Sequence, residues 1–254
     1  MSALEIKNKL IALGSPERAN HSAYFFKTAE GEYGYGDKFI GCTVPETRSV
    51  ANKYPDLPLS ENKKLLEDEL HECRLCALVI LTHQFKKANE IVKYEILNYY
   101  LANTIHINNW DLVDVSSYKI VGEWLKNRED RSLLYQLAES ELLWDQRIAV
   151  ISTLTFIRNN DFNDTLELSE MFLTHQHDLM HKACGWMLRE VGKRDEAVLL
   201  HFLNKHAAIM PRTMLRYSIE KFPDELRKYY LSYRQIGKQV EGTRIQNEQV
   251  FRTK

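Results

Sequence analysis

From Val44 onward the chain repeats apolar residues at three- and four-residue intervals almost without interruption, a periodicity that leaves room for little except helices. The spacing predicts helices over roughly 45–54, 60–70, 71–87, 89–102, 109–115, 117–127, 130–138, 141–158, 163–175, 178–192, 194–208, 211–221 and 223–231. The breaks fall at Pro55-Asp56-Leu57-Pro58, at Asn159-Asn160-Asp161 and at Pro211, where a ring or turn-forming amides end a helix. Only 10 Gly and 6 Pro occur in 254 residues, too little turn-forming material for a β-rich architecture. No strand-rich block or Ser/Gly linker divides the chain, so it reads as one all-α domain over residues 1–231.

The N-terminal part differs. Leu4 to Leu13 reads as a short amphipathic helix, and Ser15-Pro16-Glu17 opens a second that runs to about Phe26, with Ser as cap and Pro at the first helical position. Over residues 29–42, Gly31, Gly34, Gly36 and Gly41 alternate with Tyr33, Tyr35 and Phe39, which suggests a glycine-rich loop or a small hairpin. No apolar strand precedes it and its spacing fits neither nucleotide fingerprint. It reads as a structural loop, with an aromatic contact to a DNA backbone as the alternative. Residues 232–254 lose the periodicity and read as a basic, polar tail.

A net charge of −1 argues against indiscriminate nucleic-acid binding, but the charge is unevenly spread. From His181 to the end there are 15 Lys+Arg against 8 Asp+Glu; the first 180 residues carry 19 against 27. That is compatible with one basic face. The longest apolar runs, such as Cys76 to Leu81, are far too short to span a bilayer, and Met1 to Leu13 lacks the apolar block of a signal peptide. Four irregularly placed cysteines fit a reducing compartment, so a cytosolic protein is expected.

The candidate site centres on Asn108-Asn109-Trp110-Asp111-Leu112-Val113-Asp114, which has the form of a helix start with an Asn cap and an acidic first turn. Trp110 and Asp114 stand four residues apart, so they share one helix face, where a π surface beside a carboxylate suits a cation. Glu72 to Ala77, Asp145 to Val150 and Met180 to Gly185 share a polar–basic–small form and recur, with the Trp110 segment between the first two, at about 35–38 residues. Pro211 to Arg216 supplies a shorter fifth unit. The period is in or just below the range of two-helix HEAT-like α-solenoids, in which equivalent helices line one concave wall. Arg74, Trp110, Asp114, Arg147, Lys182, Trp186 and Arg212 would then share a groove suited to a polyanion with a cationic centre.

These segments resemble the AlkD-like DNA alkylation repair family, HEAT-like-repeat glycosylases that excise positively charged alkylated purines. The resemblance runs from roughly residue 16 to 230 and is most specific at Asn109 to Asp114, Trp144 to Arg147 and Gly185 to Glu190. It implies that Asp114 is the catalytic carboxylate, that Trp110 and Trp186 flank the sugar of the lesion, and that Arg147 lies near the DNA backbone. It also implies an N-terminal tyrosine facing the DNA, for which both Tyr24 and Phe25 stand near the matching place. An N3- or N7-alkylated purine is already a good leaving group, so the family chemistry needs no acid to protonate it and no pocket to receive it. Arg74, Lys182 and Arg212 would bind phosphates. The 29–42 loop is longer and richer in glycine than the family pattern.

Three features point elsewhere at first sight. Cys73-Arg74-Leu75-Cys76 is a CxxC without a second pair and inside a helix, so buried thiols are expected. His175, His177 and His181 lack the Glu of the metalloprotease motif, and no metal or other cofactor is expected. Trp124 and Trp144 are expected in the core. The leading expectation is a monomeric glycosylase acting on duplex DNA; a non-catalytic binder of bent or branched DNA and a protein-interaction scaffold are the alternatives.

Overall fold

The computed structural model describes residues 1–232, and the remainder of the tail lies outside the described residues. The fold is all-α. Its helices are α1 (Ala3–Leu13), α2 (Pro16–Phe25), α3 (Val44–Ala51), α4 (Leu59–Leu66), α5 (His71–Lys87), α6 (Glu90–Leu101), α7 (Trp110–Ser117), α8 (Glu123–Leu125), α9 (Ser132–Ala138), α10 (Leu143–Ser152), α11 (Leu154–Arg158), α12 (Asn163–Met171), α13 (Asp178–Arg194), α14 (Glu196–His206) and α15 (Arg212–Ser218). A further helical stretch covers 224–232.

The chain falls into two compact units, 1–152 and the part from 153 onward. Within each, helices pack mainly on near neighbours in sequence, as in a solenoid. In the first unit α5 is the hub: α3, α4 and α7 pack against it, and it is buried on nearly every side from His71 to Thr82. Its predicted span of 71–87 is the observed one. In the second unit α13 packs against α15, and Gly185 permits the approach: a β-carbon there would lie 2.6 Å from the Met214 carbonyl oxygen.

Two predicted helices are divided. The 141–158 helix is interrupted at Thr153, one residue after Ser152, whose hydroxyl donates back to the Ile148 carbonyl (2.6 Å), a bond that loosens the helical ladder. The 117–127 helix begins as a π-helical segment, Tyr118–Gly122, continuous with α7. Such widened turns alter which side chains face outward.

The 29–42 segment forms no hairpin. It is a series of turns with one isolated parallel bridge between Lys38 and Leu70. Buried Glu72 accepts the backbone N–H groups of Ile40 (2.9 Å), Gly41 (2.7 Å) and Cys42 (3.1 Å), fixing the end of the loop to the first turn of α5. The loop therefore takes its shape from anchors in a helix that follows it.

Helix α2 ends in a Schellman arrangement: Thr28 N–H donates to the Ala23 carbonyl and Lys27 N–H to the Tyr24 carbonyl. Lys27 occupies the left-handed position at φ 56°, where glycine is at ease and a side chain is not. Lys27→Gly is expected to stabilise the protein by about 0.5–1 kcal/mol. Urea denaturation checks this, and an unchanged midpoint would mean that the turn holds no strain.

Candidate functional site

The site is built at the N-terminus of α7. Asn109 caps it by accepting the Trp110 N–H (2.8 Å), and its side-chain amide donates to Asp37 Oδ2 (3.1 Å) in the glycine-rich loop. One turn on, Asp114 projects from the same face as Trp110 into a cleft of about 570 Å³ in the first unit. Arg147 on α10 grips Asp114 with two parallel bonds, Nε to Oδ1 (3.0 Å) and Nη2 to Oδ2 (2.8 Å). The fork is buried, while Asp114 keeps 17% of its side chain exposed toward the cleft. Burial pushes the Asp114 carboxyl above its ordinary range, and the Arg147 charge only partly opposes it.

The pair therefore presents a poorly hydrated carboxylate whose direction is fixed by a planar guanidinium. It can oppose a positive charge or accept a proton from water at the cleft face. If Arg147 holds the carboxyl down, Arg147→Met should move its protonation to higher pH. A carboxyl titration followed by NMR checks the direction; a shift to lower pH would contradict this reading of the pair.

Trp110 stands in an aromatic group that sequence reasoning did not identify. Phe26 stacks on it (5.3 Å between centroids) and Phe25 meets it edge-on (5.9 Å). Phe26 also stacks on Phe39 of the loop (5.1 Å), and Phe39 on His71 (4.7 Å). Tyr24, by contrast, is 88% exposed, so Phe25 and Phe26 are the residues of the α2 terminus that meet Trp110. The sequence left Tyr24 and Phe25 open; Phe25 is the one that touches Trp110, and Tyr24 the more exposed.

Beneath the aromatics lies a buried ionic network. His71 Nδ1–H donates to Asp37 Oδ2 (3.0 Å) and Nε2–H to Asp111 Oδ2 (2.8 Å). Burial disfavours the charged ring, but Asp111 and Asp37 together raise its pKa to about 9. Burial likewise works against ionised Asp37, yet His71, Arg74 and Asn109 hold it below its ordinary value. Asp111, expected as a first-turn residue, does serve the helix start, but through His71. Its other oxygen, Oδ1, is buried and unpartnered among the described residues.

Several expected residues stand differently. Arg74, expected in the groove, is 5% exposed; it binds Asp37 and donates to the Asp68 carbonyl (2.8 Å), so its charge is consumed inside the protein. Trp144 and Trp124, expected in the core, are half-buried: Trp144 meets Tyr33 (6.4 Å) and Trp124 lies under the Arg128 guanidinium (3.7 Å).

In the second unit, half-buried Trp186 donates to Glu190 (3.1 Å), Lys182 pairs with Asp178 (2.7 Å), and Arg212 donates to the Leu231 carbonyl (2.8 Å). Arg189 pairs with Glu220, and Glu190 with Lys193. Cys73 and Cys76 are buried thiols, the latter pushed up to about 12 by desolvation. His177 caps α13 by accepting the Leu179 N–H.

A family model described as DNA alkylation repair enzyme matches residues 6–222. Among solved structures, a protein described as a predicted DNA alkylation repair enzyme from Enterococcus faecalis aligns with a TM-score of 0.65 at 16% identity, covering 83% of this chain and 97% of that one. At that identity the likeness speaks for the fold. No curated protein is significantly similar to the chain.

Proposed function

The chain belongs to the DNA alkylation repair enzyme family, and from that premise we propose that it is a DNA glycosylase hydrolysing the N-glycosidic bond of positively charged N3- or N7-alkylated purines in duplex DNA. The observation that carries the reading is the Asp114 carboxylate, open to the cleft one turn from Trp110 and aimed by the Arg147 fork.

The bond from the sugar C1′ to the base nitrogen breaks, and its electron pair leaves with the base, which becomes neutral. Positive charge passes to the sugar. Asp114 opposes that charge as it develops, and it accepts a hydrogen bond and then the proton from the water whose oxygen adds to C1′, later releasing that proton to solvent. Trp110, backed by Phe25 and Phe26, offers a π face to the same cation and excludes bulk solvent. Arg147 holds Asp114 in register, and its buried guanidinium, engaged by that carboxylate, is not offered to phosphate. Lys182, Arg212 and exposed Tyr24 meet the DNA backbone, and Trp186 packs on the sugar. Arg74 is left out because its charge is already consumed by Asp37. In this reading the helices are HEAT-like repeat units, the enzyme acts as a monomer in the cytosol, and neither metal nor other cofactor takes part.

The test is release of free 7-methylguanine and 3-methyladenine from methylated duplex DNA. Release is expected from the purified chain. Binding of duplex without release would replace the enzyme with a structural binder, and no salt-dependent binding at all would point to a scaffold.

A further inference from the structure

Most cations of the first unit have a carboxylate partner. Lys7 pairs with Asp68, Lys9 with Glu5, Arg18 with Glu46, Lys38 with Glu69 and Lys126 with Glu123, and others follow the same pattern. Among the described residues of this unit, Arg48, Lys53, Lys86, Lys87 and Lys119 have none within ion-pair distance. Two of these five line one cleft, and two stand together at the end of one helix. Arg48 and Lys119 line the cleft that holds Trp110 and Asp114. Lys86 and Lys87 follow His83 by three and four residues on α5 and so share its face.

His83 reports the grouping. Partial desolvation, then Lys119, Lys87, Lys86 and Arg48, lower its pKa, so all four cations act on one imidazole. Lys86 and Lys87 also complement the C-terminal dipole of α5, which accounts for their signs. That account does not extend to Arg48 on α3 or to Lys119. Lys119 sits in the π-helical turn after α7 with its ammonium over the Tyr118 ring (5.3 Å).

Like charges held together without counter-ions repel, and a folded surface tolerates them where a polyanion supplies the missing charge. We propose that Arg48, Lys86, Lys87 and Lys119 form a phosphate-binding strip that receives one strand of duplex DNA and leads it to Asp114 through the shared cleft. This rests on the proposed DNA glycosylase reading and adds to it a surface in the first unit, distinct from Lys182 and Arg212. The strip contacts phosphates and not base edges, so it carries register and affinity without sequence preference.

The test is the salt dependence of binding to undamaged duplex, compared between wild type, Arg48→Gln/Lys119→Gln and Lys86→Gln/Lys87→Gln. Each phosphate contact contributes about −0.9 to the slope of log K against log salt, so each pair of substitutions should reduce its magnitude by about 2. Lys63→Gln/Lys64→Gln, whose lysines are paired with Glu67 and Glu61, should leave the slope unchanged. Melting curves confirm that the variants fold; Arg48, Lys86 and Lys87 are exposed. If wild type binds with a steep slope that either strip variant retains, the strip is wrong while the glycosylase reading stands. If wild type shows no salt-dependent binding, the DNA reading itself falls.

Discussion

Asp114→Asn is expected to release 7-methylguanine and 3-methyladenine at least about a hundredfold more slowly than wild type, with affinity for methylated duplex retained. Asparagine keeps the shape and can still accept one bond from Arg147, but it leaves that buried guanidinium without its counter-charge, so rates are compared where melting curves show the variant folded. A preorganised electrostatic group of this kind is worth about 3 kcal/mol of transition-state stabilisation. Its influence is greatest where water is scarce, and Asp114 is mostly buried. The loss should appear in kcat, because the sugar carries full positive charge only as the bond opens. Burial lifts the carboxyl above its ordinary range, so the acid limb of the wild-type rate profile should lie above that of an exposed aspartate and vanish in the variant. Comparable release by wild type and Asp114→Asn would remove Asp114 from the chemistry. A parallel fall in duplex affinity would make it a binding residue instead.

What could be read from the sequence follows from the range of each interaction. The α5 span was legible because its ends are marked locally, by the loop before His71 and the lysines at its close. The Trp110–Asp114 relation was legible because it is one helical turn. The Arg147 fork on Asp114 joins residues 33 apart, and nothing local announces it. Phe26, Phe39, Asp37 and His71 were missed for a related reason. They come from the α2 terminus, the loop and α5, and converge only because Glu72 and Asp37 fasten the loop to α5. Arg74 misled because a basic residue at the repeat position looks like its equivalents until a loop from a distant part of the chain supplies an acid.

That convergence makes His71 the residue on which the first unit should depend most. The imidazolium is 2% exposed and lies between Asp37 and Asp111, one in the loop and the other in the first turn of α7. His71→Phe would keep the stacking on Phe26 and Phe39 but leave two buried carboxylates facing each other without the cation between them. Removing one member of such a group costs about 3–5 kcal/mol, which corresponds to a fall in melting temperature on the order of 10 °C for a chain of this size. The pH dependence separates this charge from mere packing. The folded-state pKa of about 9 lies above the unfolded value near 6.5, so the contribution is fully present below about pH 6.5 and is lost as pH rises through about 9. It amounts to about 3 kcal/mol. Urea denaturation from pH 6 to 10 should therefore show wild type losing stability across that interval and His71→Phe changing far less. Base release by the variant, measured where it remains folded, should fall as well, because Asp111 and Asn109 would no longer hold the start of α7 against the loop. If wild type and variant keep a constant difference in stability from pH 6 to 10, His71 is neutral in the folded protein, and the network holds the site by hydrogen bonds alone.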